Sequence, residues 1–437
     1  MTGIEIGVLA IVLLVVLIFL GMPIGIGMLF VSFGGVSLIR NEGVAMRMFG
    51  AVANDSLREY LFAVVPLFVL MGLLVTVSGV GKDTFDLFER LLRRVTAGLG
   101  VATVFANAVF ASITGISIAS ASVFSRVAVP EMVRHGYSKQ FATGVVAGSS
   151  VLGMLIPPSL LMIVYAVLAE ESVGRMFLAG VGPGILIAVV FSLTILGLAY
   201  WRRDFVFERA DAAPPAENYS VLQIIGKGAP IVSLVTLVLG GLYGGFLNPT
   251  EAGAIGALGA LVIALLRRSL DPKSFWSIMV EAGQVTVSVL FLILSATFFS
   301  RMLAMSGLPT ALAEVLLSGS FGPYIFLVAF LVMVILLGCL IDSISIMLIL
   351  LPIALPVARE AGFDLIWFGV LTVVAVEIGL LTPPFGLSVY TIKSAMDDPD
   401  LSVGDIFRGA FPFVLAMIFA LVILVGFPQI STWLARQ

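Results

Sequence analysis

The sequence predicts an all-α polytopic membrane protein built from two related halves. Three observations lead there: a composition too apolar for water, a series of apolar runs of bilayer length, and glycine, proline and serine positions that recur at a near-constant offset. Of 437 residues, 60% are hydrophobic and 11% charged, where soluble proteins carry about a quarter charged. So few charges could not cover the surface of a water-soluble fold, and the apolar excess would form one exposed patch that aggregates. The net charge of −3 excludes a generally basic nucleic-acid binder. Cys339 is the single cysteine and His135 the single histidine. An internal disulfide, a multi-cysteine metal site and most histidine-based catalysis are thereby excluded, and no enzyme is expected. No GxxxxGK[ST] loop occurs, so nothing suggests ATP hydrolysis.

Taken in order, the run Ile6–Leu20 continues through Gly21-Met22-Pro23 into Ile24–Ile39. No Lys or Arg precedes Arg40, so the basic start of a cleaved signal is missing. The two runs read as short spans joined by a tight turn, or as one broken helix. Further apolar runs lie near 61–78, 99–125, 141–169, 176–200, 229–246, 250–266, 276–304, 321–357, 365–391 and 410–428. At roughly 20 residues per crossing this is material for about ten to fourteen spans. Within Lys82–Val95, the side chains of Phe85, Phe88, Leu91, Leu92 and Val95 share one helical face, which predicts a helix lying along the membrane surface. Trp201–Ser220, with its charges and Pro214-Pro215, reads as a polar linker on the inner side. The expected organisation is a first half over 1–200, a linker over 201–228 and a second half over 229–437.

The halves match in an ordered series. Gly136, Gly153 and Pro157-Pro158 recur 226 residues later as Gly362, Gly379 and Pro383-Pro384. At the same offset Pro23, Gly27, Ser117 and Pro130 become Pro249, Gly253, Ser343 and Pro356. At 228, Ser78-Gly79 becomes Ser306-Gly307; at 230, Ser172-Val173-Gly174 and Phe177 become Ser402-Val403-Gly404 and Phe407. Such a series indicates an internal duplication. With an outside N-terminus and five crossings per half, the inner segments would hold Lys82, Arg90, Arg93, Arg94, Arg126, Arg134, Lys139, Arg202, Arg203, Arg209, Lys227, Arg267, Arg268, Lys273, Lys393 and Arg408 out of 23 Lys and Arg. That bias fits the positive-inside rule. Five is odd, so the second half would be inverted, as in many secondary transporters.

Two pairs of motifs carry the chemistry. Proline lacks the N–H that would bond the carbonyl four residues back. Pro157 and Pro158 therefore free the carbonyls of Gly153 and Met154, and Pro383 and Pro384 free those of Gly379 and Leu380. In hydrocarbon these carbonyls need protein, water or a cation as partner, and broken helices at matched positions of two halves point to a binding site. The other pair is Thr114–Ser122, TGISIASAS, and Gly338–Ser345, GCLIDSIS, each rich in hydroxyls inside an apolar run. They read as tips of re-entrant hairpins near 99–130 and 321–357, suited to a small hard cation such as Na⁺, or as close-packed helix contacts. Asp342 is an acid in an apolar run, able to ligate a cation, take a proton or pair with a base such as Arg301. Glu377 is the other deep acid and the candidate proton carrier.

The segments GMPIG (21–25), VPLFVLMG (65–72), GISIASASVFSRVAVPEM (115–132), LGMLIPPSLLMIVYA (152–166), DSISIMLILLPIALPVA (342–358) and GLLTPPFGLSVY (379–390) together resemble one family over nearly the whole chain. It is the large membrane subunit of tripartite ATP-independent periplasmic (TRAP) transporters. The resemblance implies an inverted-repeat, elevator-type secondary transporter with two re-entrant hairpins and two Pro-Pro broken helices, moving an organic acid inward with Na⁺. It implies two partners, a small four-helix membrane subunit and a soluble periplasmic substrate-binding protein, and a multi-pass location in a bacterial or archaeal inner membrane with a periplasmic N-terminus. Carried over, one Na⁺ site uses Gly115, Ser117, Ser120, Gly153, Ile156 and Pro157. The other uses Asp342, Ser343, Ser345, Gly379, Thr382 and Pro383. The organic acid would be held around Ser120, Ser122, Pro158, Ser159, Ser345, Pro384 and Ser388. The competing reading is a self-sufficient Na⁺–carboxylate symporter; such proteins often carry Ser-Asn-Thr at each tip, and Ser120-Ala121-Ser122 and Ser343-Ile344-Ser345 depart from it. A passive channel would not need paired broken helices, and an intramembrane enzyme lacks its machinery.

Overall fold

A computed structural model describes residues 1–58, 60–208, 221–318 and 322–436. Helix α1 (Gly3–Phe19) starts at a capping box in which Thr2 and Glu5 exchange side-chain and backbone bonds. The chain turns at Gly21, whose φ is +87°, and returns as α2 (Ile24–Ile39) packed against α1; Gly27, lacking a Cβ, lets Leu14 approach. The pair is thus two helices rather than one broken one. Then come α3 (Glu42–Arg58), α4 (Val64–Val77) and α5 (Val80–Leu92), the last two bent by 66° at Ser78-Gly79. The arms α6 (Gly98–Thr114) and α7 (Ser117–Arg134) follow, then α8 (Lys139–Ser150), α9 (Leu160–Ala169), α10 (Val173–Trp201) and the short α11 (Arg203–Val206).

The second half runs α12 (Val221–Val235), α13 (Gly241–Tyr243), α14 (Pro249–Leu266), α15 (Pro272–Ser306) and α16 (Leu308–Leu316). The arms α17 (Gly322–Gly338) and α18 (Ser343–Glu360) precede α19 (Leu365–Leu381), α20 (Leu387–Met396), α21 (Val403–Gly426) and α22 (Gln429–Thr432). Positions paired by the offset do the same local job. Gly79 and Gly307 (φ +77° and +74°) sit between two helices, and Gly136 and Gly362 (+83° and +74°) follow a hairpin arm. Only glycine adopts this left-handed backbone cheaply. Ser138 and Asp364, 226 apart, cap α8 and α19; Ser172 and Ser402 cap α10 and α21. Side-chain oxygens at these positions take the orphan N–H groups of the first turn.

Both arm pairs fold back on themselves. The rings of Phe110 and Phe124 lie 5.6 Å apart on either side of the 115–116 break, and Thr103 Oγ1 reaches Met132 Sδ at 3.7 Å further down the same pair. Phe326, early in α17, lies 6.5 Å from Phe363, just beyond α18. At the centre, every residue of Ile366–Leu381 in α19 and of Phe141–Ser150 in α8 is buried. Among the described residues six helices are long and apolar enough to cross a membrane, or seven if α4 and α5 form one bent span. The larger number expected from apolar runs also counts apolar helices of 10–17 residues, such as α1, α2 and α9.

Two local expectations can be set beside the tertiary contacts of their segments. Phe85 is buried and Phe88 stacks on Phe105 at 5.9 Å, but Leu91 and Val95 are exposed. On the polar side of α5, Asp86 pairs with Lys227 and Asp83 with Arg267, while Lys82, Arg93 and Arg94 are exposed. The helix therefore bridges the halves. The segment read as a linker over 201–228 also begins and ends in structure. Tyr137 and Phe207 form an isolated β-bridge, and Ser138 Oγ donates to the Phe205 carbonyl at 2.7 Å; α12 starts at Val221, inside the expected linker. Residues 209–220, with Pro214-Pro215, lie outside the described residues.

Helices α8 and α21 approach so closely that a Cβ on Gly144 would overlap the Gly409 backbone. Gly144→Ala is expected to destabilise the protein by about 1–3 kcal/mol, because two backbones rather than a flexible side chain must move apart. The check is the thermal unfolding midpoint of the detergent-purified variant, and an unchanged midpoint would refute the contact.

Candidate functional site

The tip of the first hairpin rests on the Pro-Pro loop of its own half. Helix α6 ends at Gly115 in the left-handed region (φ +65°), and a Cβ there would come within 2.5 Å of the Pro158 carbonyl oxygen. A Cβ on Gly153 would lie 3.0 Å from the Ser117 backbone nitrogen, and Leu160 N–H reaches the Gly115 carbonyl at 3.4 Å. Pro157, Pro158 and Ser159 are buried and Ile156 half-buried. Of the two carbonyls freed by the prolines, that of Met154 accepts from Ser159 Oγ, and Ser159 also caps α9 through Met162 N–H at 3.3 Å. This hydroxyl, assigned to substrate from the sequence, is occupied locally.

The second tip repeats the contact on the second loop. Gly338 and Gly379 meet backbone to backbone, a Cβ on Gly379 falling 2.5 Å from Gly338 Cα. Phe385 N–H donates to the Cys339 carbonyl at 3.2 Å. Asp342 caps α18, accepting from Ser345 N–H at 3.1 Å and Ser345 Oγ at 2.5 Å. It does not pair with Arg301, which bonds Asp55 at 3.2 Å. Thr382 Oγ1 donates to the Ile378 carbonyl at 2.7 Å, and Thr382 N–H takes the Gly379 carbonyl at 2.9 Å. Both Pro-Pro bonds are cis. The surroundings of the two loops differ: Asp342, Pro383 and Pro384 are exposed, while Ser343 and Ser345 are buried.

A bond between the halves joins these parts. Ser117 Oγ, first residue of α7, donates to Glu377 Oε2 in the middle of α19 at 3.0 Å. Glu377 is 1% exposed and its other oxygen has no protein partner; the buried hydroxyls of Ser120 and Ser388 have none either. Helix α20, carrying Ser388, packs against α7, carrying Ser120 and the half-buried Ser122. A buried polar atom without a partner carries a desolvation cost and calls for a ligand or water. The sequence reading missed Asn107, whose Nδ2 donates to Ser149 Oγ at 2.6 Å between α6 and α8 while its Oδ1 is unpartnered. The available signal was an amide in the middle of an apolar run.

This is the fold of a polytopic helical membrane protein. The crystal structure of the Alcanivorax borkumensis YdaH transporter matches it with a TM-score of 0.56 at 16% identity, covering 84% of this chain and 86% of that one. The family follows from the sequence: residues 11–430 match the family described as tripartite ATP-independent periplasmic transporter, DctM component, and the chain belongs to it as a TRAP large membrane subunit. The C4-dicarboxylate TRAP transporter large permease protein DctM of Pseudomonas aeruginosa is 30% identical over 406 residues, 91% of either chain. The sialic acid TRAP transporter large permease protein SiaM of Vibrio cholerae is 29% identical, over 95% of either chain. These relatives are permeases rather than enzymes.

Proposed function

We propose that this subunit carries a small organic acid inward across the inner membrane, driven by Na⁺, with the two hairpins and broken helices moving together as an elevator. The observation that carries the reading is the repeated seating of a hydroxyl-rich tip on a Pro-Pro loop, with buried oxygens left unpartnered beside it. Oxygen-only donors suit a small hard cation. Hydroxyls and carbonyls of Gly115–Ser120 with 153–157, and of Asp342–Ser345 with 379–383, would hold one Na⁺ each. When bound, the ion supplies positive charge beside the substrate carboxylate. The N-termini of α7 and α18 and the hydroxyls of Ser120 and Ser388 would orient that carboxylate. Relatives named for dicarboxylates and for sialic acid support an organic acid without choosing one.

The test is uptake into proteoliposomes, adding to this chain first a small four-helix membrane subunit and then a soluble periplasmic binding protein. Uptake is expected only with all three, and is expected to stop when external Na⁺ is replaced by choline. Full uptake by the chain alone would establish the self-sufficient symporter, and full uptake in choline would remove the Na⁺ coupling.

Inversion of the halves has its own test. Ser172 and Ser402 are offset-related helix caps and both are exposed. In a Cys339→Ser background, Ser172→Cys is expected to label with an impermeant thiol reagent outside intact cells, and Ser402→Cys is not. Equal labelling would contradict the inverted topology.

A further inference from the structure

The two acids of the site both come from the second half. At the 226-residue offset, Asp342 corresponds to Ile116 and Glu377 to Val151, so the tip of the first hairpin has no acid of its own. The fold supplies one: Glu377 reaches across the molecule to the tip of hairpin 1 and accepts from Ser117 Oγ at 3.0 Å. The remaining carboxylate oxygen is buried and unpartnered. Ser120, one helical turn beyond Ser117 on α7, presents a hydroxyl that is also fully buried and unpartnered.

No base compensates this carboxylate from the elements packed around α19. Arg175 on α10 bonds Glu171 at 3.1 Å, and Arg359 on α18 bonds the Ala169 carbonyl at 2.7 Å. Arg408 on α21 faces Asp405 at 3.8 Å, and Lys393 on α20 donates to the Asp398 carbonyl at 2.5 Å. A buried carboxylate with one hydroxyl donor and no counter-charge is costly unless a proton or another cation joins it. An all-oxygen donor set favours a hard cation over a soft one.

We propose that Glu377 completes, from the opposite half, a Na⁺ site at the tip of hairpin 1, with Glu377 Oε1 and Ser120 Oγ as ligands and Ser117 holding the carboxylate in place. This rests on the Na⁺-coupled reading above and deepens it. Each hairpin tip then has one carboxylate, Asp342 from its own helix start and Glu377 from the other half. The first site exists only while α7 and α19 are in register, so ion binding there ties the two halves together.

The experiment is thermal unfolding of the full-length purified chain titrated with Na⁺, choline keeping ionic strength constant. The wild type is expected to gain stability with Na⁺. Glu377→Gln, which keeps shape and one oxygen, is expected to need about 10- to 100-fold more Na⁺ for the same gain, the range seen when a metal site loses a supporting group. Ser120→Ala leaves the Ser117–Glu377 bond intact and is expected to shift the midpoint in the same direction; it decides the matter if Glu377→Gln does not fold. Wild-type Na⁺ midpoints in both variants would overturn this assignment and leave the Na⁺-coupled reading standing. No Na⁺ response in the wild type would overturn both.

Discussion

Asp342→Asn is expected to raise the external Na⁺ needed for half-maximal uptake by about ten-fold or more, with normal amounts of protein in the membrane. A side chain that holds a bound ion usually contributes on that scale. The substitution is clean because Asp342 has two separable jobs. Its carboxylate caps α18 through Ser345 N–H and Oγ, and asparagine caps a helix about as well, so the helix start survives. The charge is lost together with one acceptor oxygen, so the Ser345 hydroxyl would accept from the new amide instead of donating to a carboxylate; Arg301 is undisturbed because its partner is Asp55. Asp342→Ala, by contrast, also removes the cap, at about 0.5–2 kcal/mol. Unaltered Na⁺ dependence in Asp342→Asn would reduce the residue to a helix cap.

Gly379→Val is expected to reduce uptake by about 100-fold or more, the order of effect that a 1 Å displacement of a reacting geometry produces. Its Cβ would lie 2.5 Å from Gly338 Cα and 2.7 Å from the Ile335 carbonyl oxygen. Both obstacles are backbone, so no rotamer change relieves the overlap. The tip of hairpin 2 must lift from the loop, and the Phe385 N–H to Cys339 carbonyl bond goes with it. The control is Gly283→Ala on α15, where a Cβ meets nothing within 4 Å, and which is expected to transport normally. Uptake comparable to wild type in Gly379→Val would show that the tip–loop contact has no part in transport.

The local devices of this fold were legible because each is short-range. A proline removes one N–H wherever it stands, so the breaks after α8 and α19 could be placed at 157–158 and 383–384 from the chain alone. Gly79 and Gly307 stop helices through their own backbone freedom, and Ser172 and Ser402 cap through their own side chains. The freed Met154 carbonyl was foreseeable as well; that Ser159 takes it was not, because the hydroxyl folds back only once the loop has closed. Helix α5 was legible only in part for a related reason. Periodicity locates an amphipathic face, but it does not reveal that Lys227 and Arg267, far along the chain, would pair with Asp86 and Asp83 on its polar side.

By itself the sequence determined the membrane setting, the helical class and the places where helices break. All of these follow from composition or from interactions within a few residues. Tertiary structure alone decided which groups meet: Ser117 with Glu377 across 260 positions, Asn107 with Ser149, and Asp342 with its own Ser345 rather than Arg301. Polar groups inside an apolar interior must find partners wherever the packing brings them, and many chain distances satisfy that need equally well. The carboxylate at hairpin 1 is the result: no residue of the first half encodes it, and the Ser117–Glu377 bond puts it there.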